Sequence, residues 1–180
     1  MTPLHILVTV GSDHHPFNRL IRWMDAWVSA QEPGTVSCVS QYGTADPPLE
    51  GRGEPFLPHD ELERLMTEAD VVVTQGGPMG LLEARRCGTR PIAVPRLAHL
   101  GEVVDDHQVA FCRHLAKLGT IVIAEESATL STALAAAVRD HQSYTVEPTA
   151  AVRHVQESVA RFGELVASLP PRPALVPWRR

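Results

Sequence analysis

Short apolar runs alternate along this chain with stretches in which apolar residues return every three or four positions. The runs are Leu4 to Val10, Thr35 to Tyr42, Val71 to Val73, Ile92 to Val94 and Ile121 to Ala124, each brief and flanked by glycine, proline or acidic residues. Such runs fit strands of a parallel sheet covered on both faces, where strict polar alternation is lost. Between them, Leu20, Ile21, Met24 and Trp27 or Val28 mark a helix from about Phe17 to Ala30, and Leu62, Leu65 and Met66 mark another over His59 to Ala69. Pro78 opens a third helix, at the position where its missing N–H is no loss, and Gly88 suits that helix's exit. Asp105 or Asp106 is placed to cap a fourth, which runs through Phe111 and Leu115 to Gly119. Ser127 or Thr129 is placed to cap an alanine-rich fifth that ends near Asp140. Gly43 to Pro58 reads as a loop with a short strand around Pro55 to Leu57. The alternation predicts a three-layer, Rossmann-like α/β domain with a mainly parallel sheet over residues 1–145. From Val146 the pattern changes. Pro148 to Leu169 reads as a last helix, and Pro170 to Arg180 as an extended, proline-rich tail.

The stretch from Asp70 to Glu83 carries most of the candidate chemistry. A buried strand runs there through Gln75, Gly76 and Gly77 into a helix that starts at Pro78. Glycines without a Cβ let the backbone turn and approach a ligand. The amides of Met79 and Gly80 then point out of the helix start, with the positive end of the dipole behind them, as a phosphate requires. Glu83 follows about a turn later, where a carboxylate can accept two hydrogen bonds from a ribose diol. A plain strand-to-helix connection with Glu83 paired to Arg86 explains the same residues without a ligand. The first strand also ends in a glycine turn, Gly11-Ser12-Asp13-His14-His15. In a parallel sheet such a turn faces the ligand crevice, and His14 or His15 can act there as acid or base near neutral pH.

Composition narrows the classes. The 180 residues, 44% of them hydrophobic, suit one domain with a full core and leave no room for a second. A net charge of −5 with scattered Arg and Lys argues against nucleic acid as a partner. Cys38, Cys87 and Cys112 lack CxxC spacing and read as small core residues of a cytosolic protein. No basic, apolar leader is expected, and no apolar run approaches the ~18 residues of a membrane span.

Three motifs in order carry a family resemblance: Ile6-Leu-Val-Thr-Val-Gly11 with Phe17-Asn-Arg-Leu-Ile21, the turn Thr74 to Glu83, and Asp106-His-Gln108 with Leu115 and Gly119. Together they resemble glycosyltransferase family 28 in its C-terminal, donor-binding half, over about residues 4 to 135. The nearest likeness is to short, free-standing versions: the catalytic subunit of the dolichol-linked N-acetylglucosaminyltransferase, and PssE-like exopolysaccharide glucuronosyltransferase subunits. The resemblance implies a GT-B-type donor domain that takes a UDP-sugar carrying N-acetylglucosamine, glucuronate or a related hexose. Gly11 and Ser12 would lie near the diphosphate. Gln75, Gly76, Gly77, Met79 and Gly80 would hold the α-phosphate, Glu83 the ribose, and His107 and Gln108 the sugar. His14 or His15 would be the base, unless the partner supplies it. Arg96 would face a glucuronate carboxylate or else stand solvated on its loop.

The chain departs from the family's pattern at two positions. Gln75 stands where the family usually has His, and Gly80 where it usually has Ser or Thr, so position 75 cannot carry charge and Gly80 offers only its N–H. The chain has no Asp-x-Asp, so neither a metal nor another cofactor is expected. The implied enzyme is half of a two-component transferase. Its acceptor is lipid-linked, and a membrane-associated, acceptor-binding partner subunit would hold this cytoplasmic chain at the membrane periphery. Two alternatives stay open at this point: a non-catalytic nucleotide-binding or regulatory module, and a phosphoribohydrolase-like enzyme whose Gly-Thr is here Met79-Gly80.

Overall fold

The computed structural model describes residues 3–147; the helix and tail expected over Pro148 to Arg180 lie outside the described residues. Six strands form one parallel sheet: β1 (Leu4–Thr9), β2 (Val36–Gln41), β3 (Arg52–Glu54), β4 (Val71–Gln75), β5 (Ile92–Val94) and β6 (Val122–Ile123). Their order across the sheet is β3-β2-β1-β4-β5-β6, the doubly wound Rossmann arrangement. The helices are α1 (Asn18–Ser29), α2 (His59–Glu68), α3 (Pro78–Arg86), α4 (His107–Lys117) and α5 (Ser127–Arg139).

The apolar runs are unbroken because both faces of the sheet are covered. Ile6 and Val8 of β1, Val71 and Val73 of β4, and Ile92 and Val94 of β5 point to one face and pack on Leu20, Ile21 and Met24 of α1 and Leu130 and Leu134 of α5. The intervening residues point the other way. Leu7 and Val72 meet Met66 of α2 and Ala84 of α3, while Ala93 meets Leu81 of α3 and Cys112 of α4. Each of the buried Leu, Ile, Val and Met side chains among these contributes roughly 1.5–3 kcal/mol of burial. Strand order reverses between β1 and β4, because the chain leaves β1 toward β2 and β3 and returns on the far side. The carboxyl ends of β1 and β4 therefore open a crevice at the switch point, where this fold class binds ligands.

Several local expectations need correction. The short strand is Arg52–Glu54, not Pro55 to Leu57: Arg52, Gly53 and Glu54 pair with Val39, Ser40 and Gln41, and Gly53 lies so close to Pro48 that a Cβ would overlap it. α5 is capped by Glu126, whose N–H donates to Thr129 Oγ1 at 3.1 Å, so Ser127 is already helical. Asp106 holds the N-cap position of α4, where its backbone oxygen accepts from Val109 N at 3.1 Å but its side chain bonds none of the helix amides. Its carboxylate accepts instead from Ala98 N at 3.0 Å, while Asp105 accepts from His107 N at 3.0 Å. Gly88, at φ +90°, does close α3 after its cap residue Cys87.

Candidate functional site

A cleft of about 410 Å³ lies at the switch point, large enough for a nucleotide. Gly11 and Ser12 border it after β1, Thr74 and Gln75 at the end of β4, and Met79, Gly80 and Glu83 along the start of α3. Gly11, Ser12, Gln75, Met79, Gly80 and Glu83, six of the residues expected at the diphosphate and ribose, thus share one cavity, whereas Gly76 and Gly77, in the turn between β4 and α3, do not line it. The opposite wall, from Gln41, Phe56, Leu57 and His59, had no forecast in the sequence. Its apolar tip, Phe56, is 54% exposed and free to cover a planar base.

The glycines act for different reasons. Gly11 has φ +76° and sits where any Cβ would overlap Gln75 Nε2, so both its conformation and its space exclude a side chain. Gly76 and Gly77 do not have positive φ. Gly76 is small because α4 packs on it: a Cβ there would lie 2.7 Å from Cys112 Sγ and 3.2 Å from Gln108 Cβ. The expectation that both glycines serve a sharp turn and close ligand approach is corrected to a packing role for Gly76.

Thr74 is the most deeply buried of three buried polar residues, with Thr9 and Gln41, that line the cleft. It is 1% exposed, and its Oγ1 has no hydrogen-bond partner. Native structures seldom bury a hydroxyl unpaired, and such a group calls for a water, an ion or a functional role to explain it. Gly80 leaves the space for it, since a Cβ there would stand 3.0 Å from Thr74 Oγ1. The first amides of α3 border the same cleft. A buried free hydroxyl beside a helix N-terminus suits a phosphate group.

Glu83 pairs with His59 Nδ1 at 3.3 Å rather than with Arg86, so it faces the cleft across from α2. His14 and His15 sit on the β1–α1 turn beside the cleft and do not line it. The structure separates them. The side chain of His14 is 84% exposed, whereas that of His15 is 23% exposed and its Nδ1 lies 2.6 Å from Asp13 Oδ1. Asp13 also accepts His15 N at 2.8 Å. Burial pushes the Asp13 carboxyl up, but the hydrogen bonds from His15 and the charge of Arg96 outweigh it, leaving the pKa below its ordinary value. An aspartate that holds Nδ1–H leaves Nε2 as the free basic atom, the arrangement of a carboxylate-oriented general base. Asp13, His14 and His15 also offer three ligand atoms within 4.8 Å of one another, two of these residues being joined by the Asp13–His15 bond.

His107 and Gln108 are not brought to the cleft. The side chain of His107 is 90% exposed and pairs with Asp105 at 2.8 Å, and Gln108 Oε1 accepts Arg96 N at 3.3 Å. Arg96 is neither solvated nor open to a sugar carboxylate. It is 0% exposed, with Phe17 under its guanidinium at 4.7 Å. It donates to Gln75 Oε1 at 2.7 Å, His15 O at 2.7 Å, Glu102 O at 2.8 Å and Val10 O at 2.8 Å. One side chain therefore ties together the turns after β1, β4 and β5. Burial draws its pKa down while Asp13 and Glu102 oppose the shift. Glu102, only 4% exposed, is held by Arg19 through two bonds of 2.9 and 2.7 Å. The three cysteines are free thiols, and burial pushes Cys38 up to about 11 and Cys112 up to about 12, which suits packing and not nucleophilic chemistry.

The fold is Rossmann-like and of the GT-B type. MurG of Acinetobacter baumannii is 20% identical over 93% of this chain and 50% of that one, with a TM-score of 0.61. The glycosyltransferase of kitacinnamycin is 18% identical over 94% of this chain and 44% of that one, at 0.65. CalG4, the calicheamicin glycosyltransferase, is 18% identical over 96% and 43%, at 0.62. At these identities the likeness establishes the fold. The chain spans about half or less of the length of each of these structures. No curated protein sequence matches it. The family model for the glycosyltransferase family 28 C-terminal domain matches residues 5–162, and the chain belongs to that family. Among the described residues no helix is long and apolar enough to cross a membrane.

Proposed function

We propose that this chain is the donor-binding subunit of a two-component glycosyltransferase that moves a hexose from a UDP-sugar to a lipid-linked acceptor. In this respect it would resemble the dolichol-linked N-acetylglucosaminyltransferase catalytic subunit and the PssE-like glucuronosyltransferase subunits. The observation that carries the reading is the cleft floor: an unpaired, buried Thr74 hydroxyl beside the amino end of α3, with Glu83 about a turn along the same helix. Phosphate oxygens would take the Thr74 hydroxyl and the amides of Met79 and Gly80, the ribose diol would meet Glu83, and Phe56 and Leu57 would cover the base.

Transfer requires the bond from the anomeric carbon to the diphosphate to break while the acceptor oxygen attacks. Donors already aimed at the departing phosphate lower that barrier without rearranging. His15, oriented by Asp13, would take the proton of the attacking hydroxyl. The acceptor would be held elsewhere, a reading supported by the chain's spanning about half or less of its structural relatives. A partner subunit would supply that half and the membrane contact. Residues 1–145 would form the nucleotide-sugar unit, and the segment over 146–180 together with the cleft rim would dock the partner.

A thermal-shift screen against UDP, GDP, dTDP and their sugars tests the reading, with EDTA as a control. UDP compounds should raise the melting temperature by mass action, and chelation should leave the shift in place. No shift with any nucleotide would end the proposal; a strict metal requirement would remove the helix-end phosphate site from it.

A further inference from the structure

The least expected feature of the cleft is its cation. Arg96 sits fully buried behind the cleft floor, and all four of its guanidinium hydrogen bonds go to neutral oxygens. The two carboxylates that act on it electrostatically are engaged elsewhere, Asp13 by His15 and Glu102 by Arg19 and by Leu97 N at 3.0 Å. The burial of Arg96 is offset by the field of those two carboxylates and by the four neutral acceptors in contact with it.

Only Gln75 connects Arg96 to the cleft. Arg96 Nε is a donor and nothing else, so the Gln75 oxygen must face it and the Gln75 NH₂ must face the other way. That NH₂ lies in the space between the two glycine turns: a Cβ on Gly11 would overlap Nε2, and one on Gly77 would come to 3.3 Å. Among the described residues Nε2 has no acceptor, and Gln75 lines the cleft. The amide is therefore fixed at one end by a cation and open at the other.

We infer that Arg96 and Gln75 work as one unit, in which Arg96 is a positioning residue that locks and polarises the Gln75 amide so that its Nε2–H donates to a phosphate oxygen of the nucleotide. This rests on the nucleotide reading above. An amide whose oxygen already accepts from a cation is a stronger N–H donor, since successive bonds in a low-dielectric site polarise one another. The buried charge reaches the leaving group through the amide, without an ionisable side chain at position 75.

Calorimetric titrations of UDP and of uridine into four proteins test this: the wild type, Gln75→Met, Arg96→Lys and the double variant. Gln75→Met keeps the length of the side chain and removes the amide. It should weaken UDP by about ten-fold or more, as expected for a charge-assisted bond, and leave uridine unchanged. Arg96→Lys, whose ammonium cannot match the planar fork, should weaken UDP in the wild-type background and add little once Gln75 is Met. If Arg96→Lys does not fold, Gln75→Met alone decides. Wild-type UDP affinity in Gln75→Met overturns the inference and leaves the nucleotide site standing, as do fully additive losses in the double variant. A wild type that binds no UDP overturns both.

Discussion

Thr74→Val should make the ligand-free protein more stable and its nucleotide complex weaker. Valine keeps the β-branched shape that β4 packs around and removes only the hydroxyl, which is 1% exposed as part of Thr74 and has no partner. An unpaired buried hydroxyl costs on the order of 1–3 kcal/mol. Because this one borders an open cleft, the lower end applies, and the free variant should gain about 1 kcal/mol. In the complex the same hydroxyl would donate to a phosphate oxygen, and its loss should cost about 1.5–3 kcal/mol, or roughly ten- to a hundred-fold in Kd. Urea denaturation with and without UDP reads both effects. At a UDP concentration of about 100 times the wild-type Kd, ligand stabilisation should be about 2.7 kcal/mol in the wild type. A ten-fold weaker variant at that concentration should retain only about 1.4 kcal/mol. A variant that is less stable when free yet gains the full 2.7 kcal/mol from UDP would show that Thr74 is ordinary packing and refute the site as drawn.

Glu83→Ala should weaken both UDP and uridine by about ten- to a hundred-fold, since the ribose is common to the two; calorimetry showing unchanged uridine affinity would move the ribose elsewhere. His15→Ala should lower turnover in the co-expressed, two-subunit enzyme by about a hundred-fold or more while leaving UDP affinity within two-fold, and His14→Ala should change little. Equal losses from both variants in a kcat assay would remove the distinction made by Asp13. The acid limb of stability offers a fourth check. The Asp13 carboxyl is held below its ordinary 3.8 in the folded protein, so its contribution is present above that value and disappears as pH falls through the lower, folded one. Asp13→Asn should therefore flatten the loss of stability below about pH 4 in pH-dependent denaturation, and an unchanged profile would count against the His15 bond.

Much of the molecule is settled by local pattern. Brief apolar runs bounded by glycine and proline, alternating with three-to-four periodic stretches, determine the parallel α/β fold, because a strand covered on both faces has no polar side to show. The glycine turn after β4, Pro78 at the head of α3 and Glu83 one turn on determine the α3 side of the cleft, since those residues lie within a single strand-turn-helix unit. Gly11 belongs to a similar unit after β1. The short strand at Arg52–Glu54 was misplaced because its pairing is with β2, and a three-residue edge strand holding Gly53 has no apolar signature of its own.

Tertiary structure decided the rest. Arg96 is followed by a loop in the sequence and looks solvated, yet it is buried, because its acceptors come from Val10, His15, Gln75 and Glu102, which the strand order β1-β4-β5 brings side by side. Thr74 ends an apolar strand and carries no signal; only the missing partner of its hydroxyl distinguishes it. His14 and His15 are equivalent as adjacent letters, and the fold separates them by turning one ring onto Asp13 and leaving the other in water. The physical reason is common to all three. Side-chain burial and hydrogen-bond partnership depend on segments far apart in the chain, and no local periodicity records which segments will meet.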